Sequence, residues 1–469
     1  MFPLRVVCTL QCRVYSKVRC RHSVGSKMRG TILSAFILLL ALVVCTQACS
    51  ILVSNAHIPH DERFDEINHY LVRRGPDLTS RHVKDKFTFI HNLLSMTGAG
   101  FTKQPFVSED GNVVAMFNGE IYNYRDFGDF PSDGYCILPL YKKYRDGFVT
   151  HLDGEFAIVV FDFKRNIVVY STDVFAIKPL WVAVGDNLGL SSYASPLKRL
   201  GLKNIEEVPA NSIVTRSLTA PYPILRTRPV HEFDLRQYKT DISDWKASFL
   251  RAVHKRIRDL KYNVFVSLSS GHDSGAISLA LKEIGKKHTT MTIIGDEYVD
   301  ILEKRKEYLK DVVPEPIFLK FSVGGHELNQ EKEHLQKYVE PYECPIYMAE
   351  PEFCFRDVIP ALEQPYRTKE KTYRVLTDSA SLGHSAIGRR AKENRTLVLL
   401  SAGGGDEILN DYGFAGSALT HSQSCLKGYF PDNLSTVFPW TNFFKGTQRA
   451  YLRKEEHVSG SHGLEVGCR

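Results

Sequence analysis

Residues 117–123 read FNGEIYN, in which a turn-forming Asn-Gly pair lies among residues that favour strands. Residues 73–77, RRGPD, precede this stretch, and residues 132–134, SDG, follow it. Each cluster alone indicates only a turn. Residues 156–163 and 167–170 are apolar runs separated by Lys-Arg-Asn, which predicts a hairpin of two buried strands. This much is compatible with a purely structural β-sandwich.

Length and composition indicate a folded protein of more than one domain. The chain has 469 residues, enough for two or three domains. Its hydrophobic (43%), aromatic (11%) and charged (24%) fractions disfavour wholesale disorder and a polytopic membrane protein. The formal net charge of +7 equals the seven basic residues of residues 1–48, which contain no acidic residue. The remainder is neutral, so there is no electrostatic argument for a nucleic-acid partner.

The first 48 residues are predicted to be a basic leader with a signal peptide. Residues 32–44 form an apolar run that is too short to span a bilayer, and CTQA at 45–48 is typical of a cleavage site. Either Met1 or Met28 could be the start. We expect cleavage before Cys49 and a location in the secretory pathway or outside the cell. The alternatives are a mitochondrial presequence and an uncleaved signal anchor, and only the anchor would attach the chain to a membrane.

The three turn clusters, in this order after Cys49, resemble the glutaminase domain of class II (N-terminal-nucleophile) glutamine amidotransferases of the asparagine synthetase family. The resemblance continues through residues 152–157, 173–180 and 190–192, and covers residues 49–215. It implies that residues 49–218 form a glutamine amidotransferase domain with an αββα sandwich fold.

This resemblance implies a role for each motif residue. Cys49 is expected to be the nucleophile, and the Asn118 side-chain amide and Gly119 N–H the oxyanion hole. Arg74 is expected to pair with the α-carboxylate of glutamine, and Asp133 with Glu120 to hold its α-ammonium group. A free α-amino group has a pKa of about 7.7–8.0 and can take the thiol proton, which an internal cysteine cannot arrange. Cleavage after Ala48 would therefore activate Cys49.

A proline-containing segment, residues 219–235, is predicted to be a linker to a second domain at 236–469. Apolar runs at 264–268, 290–294, 317–319 and 397–400 have the length of buried parallel strands, and a helix is predicted to begin at 276. The second half is thus expected to be a doubly wound parallel α/β nucleotide-binding domain. The fold class is therefore α+β followed by α/β.

The loop SSGHDS, residues 269–274, resembles the SGGxDS pyrophosphate loop of the ATP-pyrophosphatase domain in asparagine synthetases. The resemblance implies contacts to ATP from ten residues, namely Leu268, Ser269, Ser270, Gly271, Asp273, Ser274, Ile294, Gly295, Ser401 and Ala402. It also implies that Asp273 and Asp406 bind Mg²⁺, a metal that prefers oxygen ligands. Both aspartates are equally suited to cap helices.

Three departures from the family pattern bear on function. Gly403 lies where the family has a Glu, and Ser270 where it has a Gly. The chain also ends before the family's R-x-P-F-L-D segment, so we expect a short C-terminus.

The sequence predicts an ATP-dependent amidotransferase that transfers glutamine-derived ammonia to an acyl-AMP, with aspartate as the default acceptor and asparagine, AMP and pyrophosphate as products. Its partners would then be glutamine, ATP and a carboxylate substrate, and a homodimer is possible. The alternatives are a glutaminase whose synthetase half is degenerate and a non-catalytic secreted protein of the same fold.

Overall fold

The computed structural model describes residues 5–7, 49–69, 71–98, 100–232, 241–295, 297–320, 329–331, 333 and 379–401. A three-residue strand, β1 (Arg5–Val7), precedes the first domain. That domain contains two six-stranded antiparallel sheets.

The first sheet has the order β11-β9-β10-β2-β4-β3. Its strands are β2 (Ser50–Ser54), β3 (Leu78–Lys84), β4 (Phe87–Leu93), β9 (Trp181–Val184), β10 (Leu188–Ser191) and β11 (Ile205–Glu207). The second sheet has the order β13-β12-β8-β7-β6-β5. Its strands are β5 (Phe106–Val107), β6 (Val113–Ile121), β7 (Gly154–Asp162), β8 (Ile167–Thr172), β12 (Ser212–Ser217) and β13 (Ile224–Arg228).

Apolar side chains of the two sheets meet in a shared core, as the two-residue period of a strand requires. Phe161 of β7 packs against Phe87 and Phe89 of β4, with ring centroids 4.8 and 5.1 Å apart. The outer face of the first sheet is covered by α1 (Glu62–Asn68), α2 (Leu71–Arg74) and α4 (Ala194–Arg199). The outer face of the second is covered by α3 (Ile137–Tyr144). The predicted αββα sandwich and the predicted hairpin, β7–β8, are confirmed.

The second domain is built on a five-stranded parallel sheet of order β1-β17-β14-β15-β16. Its other strands are β14 (Val264–Ser267), β15 (Thr289–Ile294), β16 (Ile317–Lys320) and β17 (Val398–Leu400). Its helices are α5 (Ser243–Ile257), α6 (His272–Glu283), α7 (Val299–Leu309) and α8 (Ser379–Glu393).

Helices cover both faces of this sheet. Val264 and Val266 of β14 pack on the side of α5 and α6, whereas Phe265 between them packs on the side of α8. The doubly wound α/β prediction is confirmed, and the four apolar runs are strands. In the part of the chain that the structure describes, no helix combines the length and the apolar character needed to cross a membrane.

Two predicted boundaries are wrong. The predicted linker, 219–235, contains β13, which pairs antiparallel with β12, and Val230 beyond it packs into the core beneath α3. The first domain therefore extends at least to Val230. The prolines that indicated a linker lie outside the strand, so they interrupt no hydrogen bond of the sheet. Helix α6 begins at His272 rather than at residue 276, because its polar first turn does not show the apolar helical pattern.

Gly119 allows β6 and β7 to approach closely. Its φ is +142°, and a Cβ at this position would lie 1.9 Å from the carbonyl oxygen of Glu155. An L side chain at this position therefore meets both an unfavourable backbone conformation and a main-chain clash.

We predict that Gly119→Ala lowers the free energy of unfolding by about 2–5 kcal/mol, combining backbone strain with overpacking. Gly111→Ala is the matched control, because Gly111 also has a positive φ (+66°) but a Cβ there would meet no atom within 4 Å. Gly111→Ala should lower the free energy of unfolding by only about 1–2 kcal/mol. Urea unfolding of both variants measures the difference, and equal losses would contradict the clash.

Candidate active site at the junction of the two domains

Cys49 lies directly before β2 and is buried in an apolar cluster with Leu93, Leu94 and Met96. The Leu94 N–H donates to Cys49 Sγ at 3.3 Å, and the thiol faces the Leu94 carbonyl oxygen at 3.7 Å. Burial is the main cause that raises the pKa of the Cys49 thiol to about 12, and the nearby carboxylates of Glu120 and Asp133 raise it further. The thiol is therefore protonated near neutral pH while Cys49 remains an internal residue.

Strand alternation places the oxyanion-hole candidate in the space between the sheets. Val114 and Met116 of β6 point into the core between the sheets. Because side chains alternate along a strand, Asn118 lies on the same face of β6. Its side chain is fully buried, and neither its amide nitrogen nor its amide oxygen has a hydrogen-bond partner within the described part of the chain. A buried unpartnered amide is costly, and an oxyanion is one group that would satisfy it.

Asp133 is held at the same end of the sandwich. Its carboxylate accepts hydrogen bonds from the Ile121 and Gly134 N–H groups, both at 2.9 Å, and from the Thr97 hydroxyl at 3.4 Å. Burial raises the pKa of Asp133 to about 6, although these hydrogen bonds oppose the shift. Burial, followed by the charge of Asp133, raises the pKa of the half-buried Glu120 well above its usual range. Ionisation of one of these two carboxyl groups therefore makes ionisation of the other less favourable.

Arg74 contacts the backbone of the candidate nucleophile. It is almost completely buried, and its Nε donates to the Cys49 carbonyl oxygen at 3.5 Å. Its Nη1 donates to the Tyr193 hydroxyl at 2.9 Å, and its guanidinium lies 5.0 Å from the centre of the Tyr193 ring. These contacts position the residue beside Cys49, whereas its pairing with a glutamine carboxylate stays a prediction.

The second domain closes this end of the sandwich. Thr97 forms an antiparallel bridge with Leu260, and the Lys261 N–H donates to the Met96 carbonyl oxygen at 3.1 Å. A cleft remains at the junction, lined by residues of both domains: Thr97, Glu120 and Asp133 from the first, and Lys255, Arg256 and Asp259 from the second. Glu120 and Asp133 thus lie beside helix α5, and no sequence pattern predicted this proximity.

The candidate nucleotide residues lie at one edge of the parallel sheet. The loop 269–271 joins β14 to α6, Ile294 and Gly295 end and follow β15, and Ser401 follows β17. These three strands are neighbours, so their carboxyl ends form the usual ligand-binding edge of an α/β sheet. Asp273 lies in the first turn of α6. The other two candidates, Ala402 and Asp406, lie outside the described residues, as does Gly403.

Within the loop, the serines hold the turn that begins α6. Ser274 Oγ accepts a hydrogen bond from the Ser269 N–H at 3.0 Å and lies 2.9 Å from Ser269 Oγ. The Gly271 N–H donates to Ser269 Oγ at 3.1 Å. Leu268, at the end of β14, is fixed by its N–H bond to the Met291 carbonyl oxygen at 2.9 Å.

Glu297 places a carboxylate on this loop. Its Oε2 accepts hydrogen bonds from both the N–H and the hydroxyl of Ser270. Arg305 donates a hydrogen bond to the Ser269 carbonyl oxygen. The negative charge of Glu297 stabilises the charged form of the Arg305 guanidinium. A carboxylate oxygen of the chain itself is therefore bound by Ser270, in the loop that the sequence predicted to bind pyrophosphate. No sequence motif indicated Glu297 or Arg305.

Comparisons with known proteins show which family and which proteins the chain is similar to. The family described as "Glutamine amidotransferase domain" matches residues 48–235. Asparagine synthetase [glutamine-hydrolyzing] 2 of Bacillus subtilis is 38% identical over 116 residues, which are 23% of this chain and 16% of that protein. Asparagine synthetase [glutamine-hydrolyzing] 2 of Oryza sativa subsp. japonica is 26% identical over 399 residues, which are 80% of this chain and 61% of that protein.

Residues 48–235 thus match the glutamine amidotransferase domain family, and 80% of the chain is similar to a glutamine-hydrolysing asparagine synthetase. The chain spans less than two thirds of the length of these two relatives. Among solved structures, glutamine phosphoribosylpyrophosphate amidotransferase from B. subtilis aligns at 13% identity and a TM-score of 0.32, over 58% of this chain and 81% of that one.

We predict that the Cys49 thiol is unreactive while Cys49 is joined to Ala48. A pKa of about 12 leaves only about one thiolate in 10⁴ molecules at pH 8. Iodoacetamide at pH 8, followed by peptide mass spectrometry, should label Cys49 slowly in the folded uncut chain and rapidly in urea. The buried Cys136 is the internal control. Rapid labelling of Cys49 in the folded uncut chain would contradict the prediction.

We also predict that Glu297→Gln tightens the binding of inorganic pyrophosphate by about tenfold or more, because hydrogen bonds to a charged acceptor contribute about 1.5–3 kcal/mol. Calorimetric titration measures the affinity. Glu303→Gln removes an exposed carboxylate from α7 and should leave the affinity unchanged. Equal affinities for all three proteins would show that Glu297 does not compete with the anion.

Proposed function

We propose that the chain is a glutamine-hydrolysing amidotransferase whose first domain releases ammonia for a carboxylate that the second domain activates with ATP. One arrangement carries the proposal. The Cys49 thiol is buried near the carboxylates of Glu120 and Asp133, and the buried, unpartnered amide of Asn118 belongs to the residue two positions before Glu120 on the same strand, β6. A nucleophile, an oxyanion donor and acceptors for an ammonium group are the groups that glutamine hydrolysis requires.

The hydrolysis starts with proton transfer from the Cys49 thiol to its own α-amino group, once cleavage has freed that group. The thiolate attacks the amide carbon of glutamine, and the Asn118 amide and Gly119 N–H stabilise the resulting oxyanion. The C–N bond then breaks, the α-ammonium returns its proton to the leaving nitrogen, and ammonia departs. Water attacks the thioester, which yields glutamate and restores the thiol.

Cleavage of the leader supplies the base in this scheme. We propose that the secretory signal peptidase cuts between Ala48 and Cys49, which places the protein in the secretory pathway or outside the cell. The raised pKa of the internal thiol supports the need for such a step, since no charged base contacts Sγ among the described residues. Cleavage would also remove β1, leaving β17 at the edge of the parallel sheet.

In the second domain, ATP would activate the acceptor carboxylate, by default that of aspartate, so that ammonia displaces AMP and gives asparagine. Backbone N–H groups of the loop 269–271 would hold the pyrophosphate portion, a role supported by the anionic oxygen that Ser270 already binds. Asp273 and Asp406 would hold the Mg²⁺ that neutralises phosphate charge. Glu297 has to leave Ser270 before a pyrophosphate group can take its place.

The position of Glu297 also favours a second candidate function. A carboxylate seated on Ser270 blocks the anion loop, and Ser270 itself replaces the glycine that is usual there. A chain that keeps the glutamine site but cannot bind ATP would be a glutaminase with a degenerate synthetase half.

The test is expression of the full chain in a eukaryotic secretory host. We expect mass spectrometry to find Cys49 as the first residue with a free amine, and a glutamine-analogue electrophile to label it. ATP–pyrophosphate exchange with aspartate and other acids then separates the two candidates, because a glutaminase alone gives no exchange. A mature chain that starts elsewhere and resists labelling would overturn the glutaminase assignment.

A further inference from the structure

Helix α5 of the second domain inserts a cation into the first domain. Arg256 Nη2 lies 3.0 Å from Glu155 Oε1, and both side chains are buried, with exposures of 8% and 3%. The guanidinium also lies 4.5 Å from the centre of the Tyr122 ring, and Arg256 Nη1 donates to the Ala252 carbonyl oxygen at 3.1 Å. This buried ion pair crosses the domain boundary.

Glu155 connects this ion pair to the candidate glutamine site. It lies directly opposite Glu120 in the β6–β7 ladder, and the charges of Glu155 and Asp133 both oppose ionisation of Glu120. Lys178 Nζ lies 3.8 Å from Glu155 Oε2 and is also buried. Four carboxylates, those of Glu120, Asp133, Glu155 and Asp173, therefore lie close to two buried cations, of which only Arg256 belongs to the second domain.

We propose that Arg256 is a positioning residue of the glutamine site: by neutralising Glu155, it lets the pair of Glu120 and Asp133 keep the negative charge that accepts the α-ammonium group of the substrate. The inference rests on the proposed function, since it assumes that these two carboxylates bind glutamine. It adds that the glutamine site is completed by the second domain. Glutamine then binds well only when α5 is docked, which ties ammonia release to an assembled molecule.

The charge balance explains why one cation can have this effect. Like charges that face each other across a strand pair are destabilising, and burial strengthens the repulsion. Without Arg256, Glu155 retains only Lys178 as a cationic neighbour among the described side chains that pair with it. The cluster then lowers its energy by taking up a proton, and a protonated Glu120 or Asp133 no longer attracts an ammonium group.

This account predicts a pH dependence of glutamine affinity. Burial raises the pKa of Asp133 to about 6, and burial also raises the pKa of Asp173, which lies near Glu155, to about 6. Raised values mean that the carboxylates gain protons as the pH falls through this range, so affinity falls as well. The groups that set this balance are the carboxylates of Glu120, Asp133, Glu155 and Asp173, the cations Lys178 and Arg256, the Thr97 hydroxyl and the Cys49 thiol, together with Lys255 and Asp259, which line the same cleft.

The experiment measures glutamine affinity by calorimetry between pH 5 and pH 8 in the processed full chain carrying Cys49→Ala, which prevents turnover. We expect Arg256→Met to weaken binding about tenfold at pH 7 and to move the pH midpoint upward by about one unit. Arg256→Lys should restore part of the affinity. The double variant Glu155→Gln/Arg256→Met should recover most of it, because it removes both members of the ion pair.

Lys246→Met is the matched control. Lys246 is also a cation of α5 in an ion pair, with Glu283 at 3.1 Å, but both side chains are exposed and neither lines the cleft that contains Glu120 and Asp133. It should change neither the affinity nor the pH midpoint. Thermal unfolding by circular dichroism shows that each variant is folded.

Two results would overturn the inference. One is that the unsubstituted site and Arg256→Met bind glutamine equally at every pH. The other is that the double variant binds as weakly as Arg256→Met alone, which would assign Arg256 a packing role. If the parent chain with an intact Arg256 binds no glutamine at all, the proposed function fails first, and the inference fails with it.

Discussion

The pairing of β6 with β7 fixes the geometry of the candidate active site. Asn118, Gly119 and Glu120 lie opposite Ala157, Phe156 and Glu155 in one antiparallel register. A shift of one residue would turn Asn118 and Glu120 away from the inter-sheet space and place Phe117 there instead. The absence of a Cβ at Gly119 allows the strands to approach at this point, so the oxyanion donor and the carboxylates depend on the same contact.

The same register creates an electrostatic problem that the second domain helps to solve. Two glutamates face each other across this strand pair, and the charge of Glu155 opposes ionisation of Glu120. Lys178 is positioned by the loop around Asp173, whose carboxylate accepts the Lys178 N–H. Arg256 arrives from α5, so the charge state of the site depends on domain docking as well as on local folding.

Local sequence patterns predicted the features that depend on short-range order. The β7–β8 hairpin and the strands around Phe265 and Leu399 follow from apolar runs between turns. Strand β13 was not predicted because the prolines on either side of it are typical of a linker. Its pairing with β12 depends on tertiary structure, which a local sequence pattern does not show. For the site, the motifs identified residues by resemblance but did not give their partners. The pairing of Lys178 and Arg256 with Glu155 has no sequence signal, since tertiary packing defines a buried ion pair and each member alone resembles a solvated charge.

The two domains have one feature in common: each contains a candidate functional group whose surroundings in the folded chain hinder its proposed role. In the first domain, burial holds the Cys49 thiol protonated, and in the proposed mechanism the α-amino group freed by chain cleavage supplies the missing base. In the second, Glu297 satisfies the donors of Ser270, and only a stronger anion can displace it. Chain cleavage before Cys49 is covalent and irreversible, whereas displacement of the Glu297 carboxylate from Ser270 by another anion is reversible. Under the proposed function, a chain built this way makes ammonia only after processing, and it uses that ammonia only where a pyrophosphate-bearing substrate displaces Glu297 from Ser270.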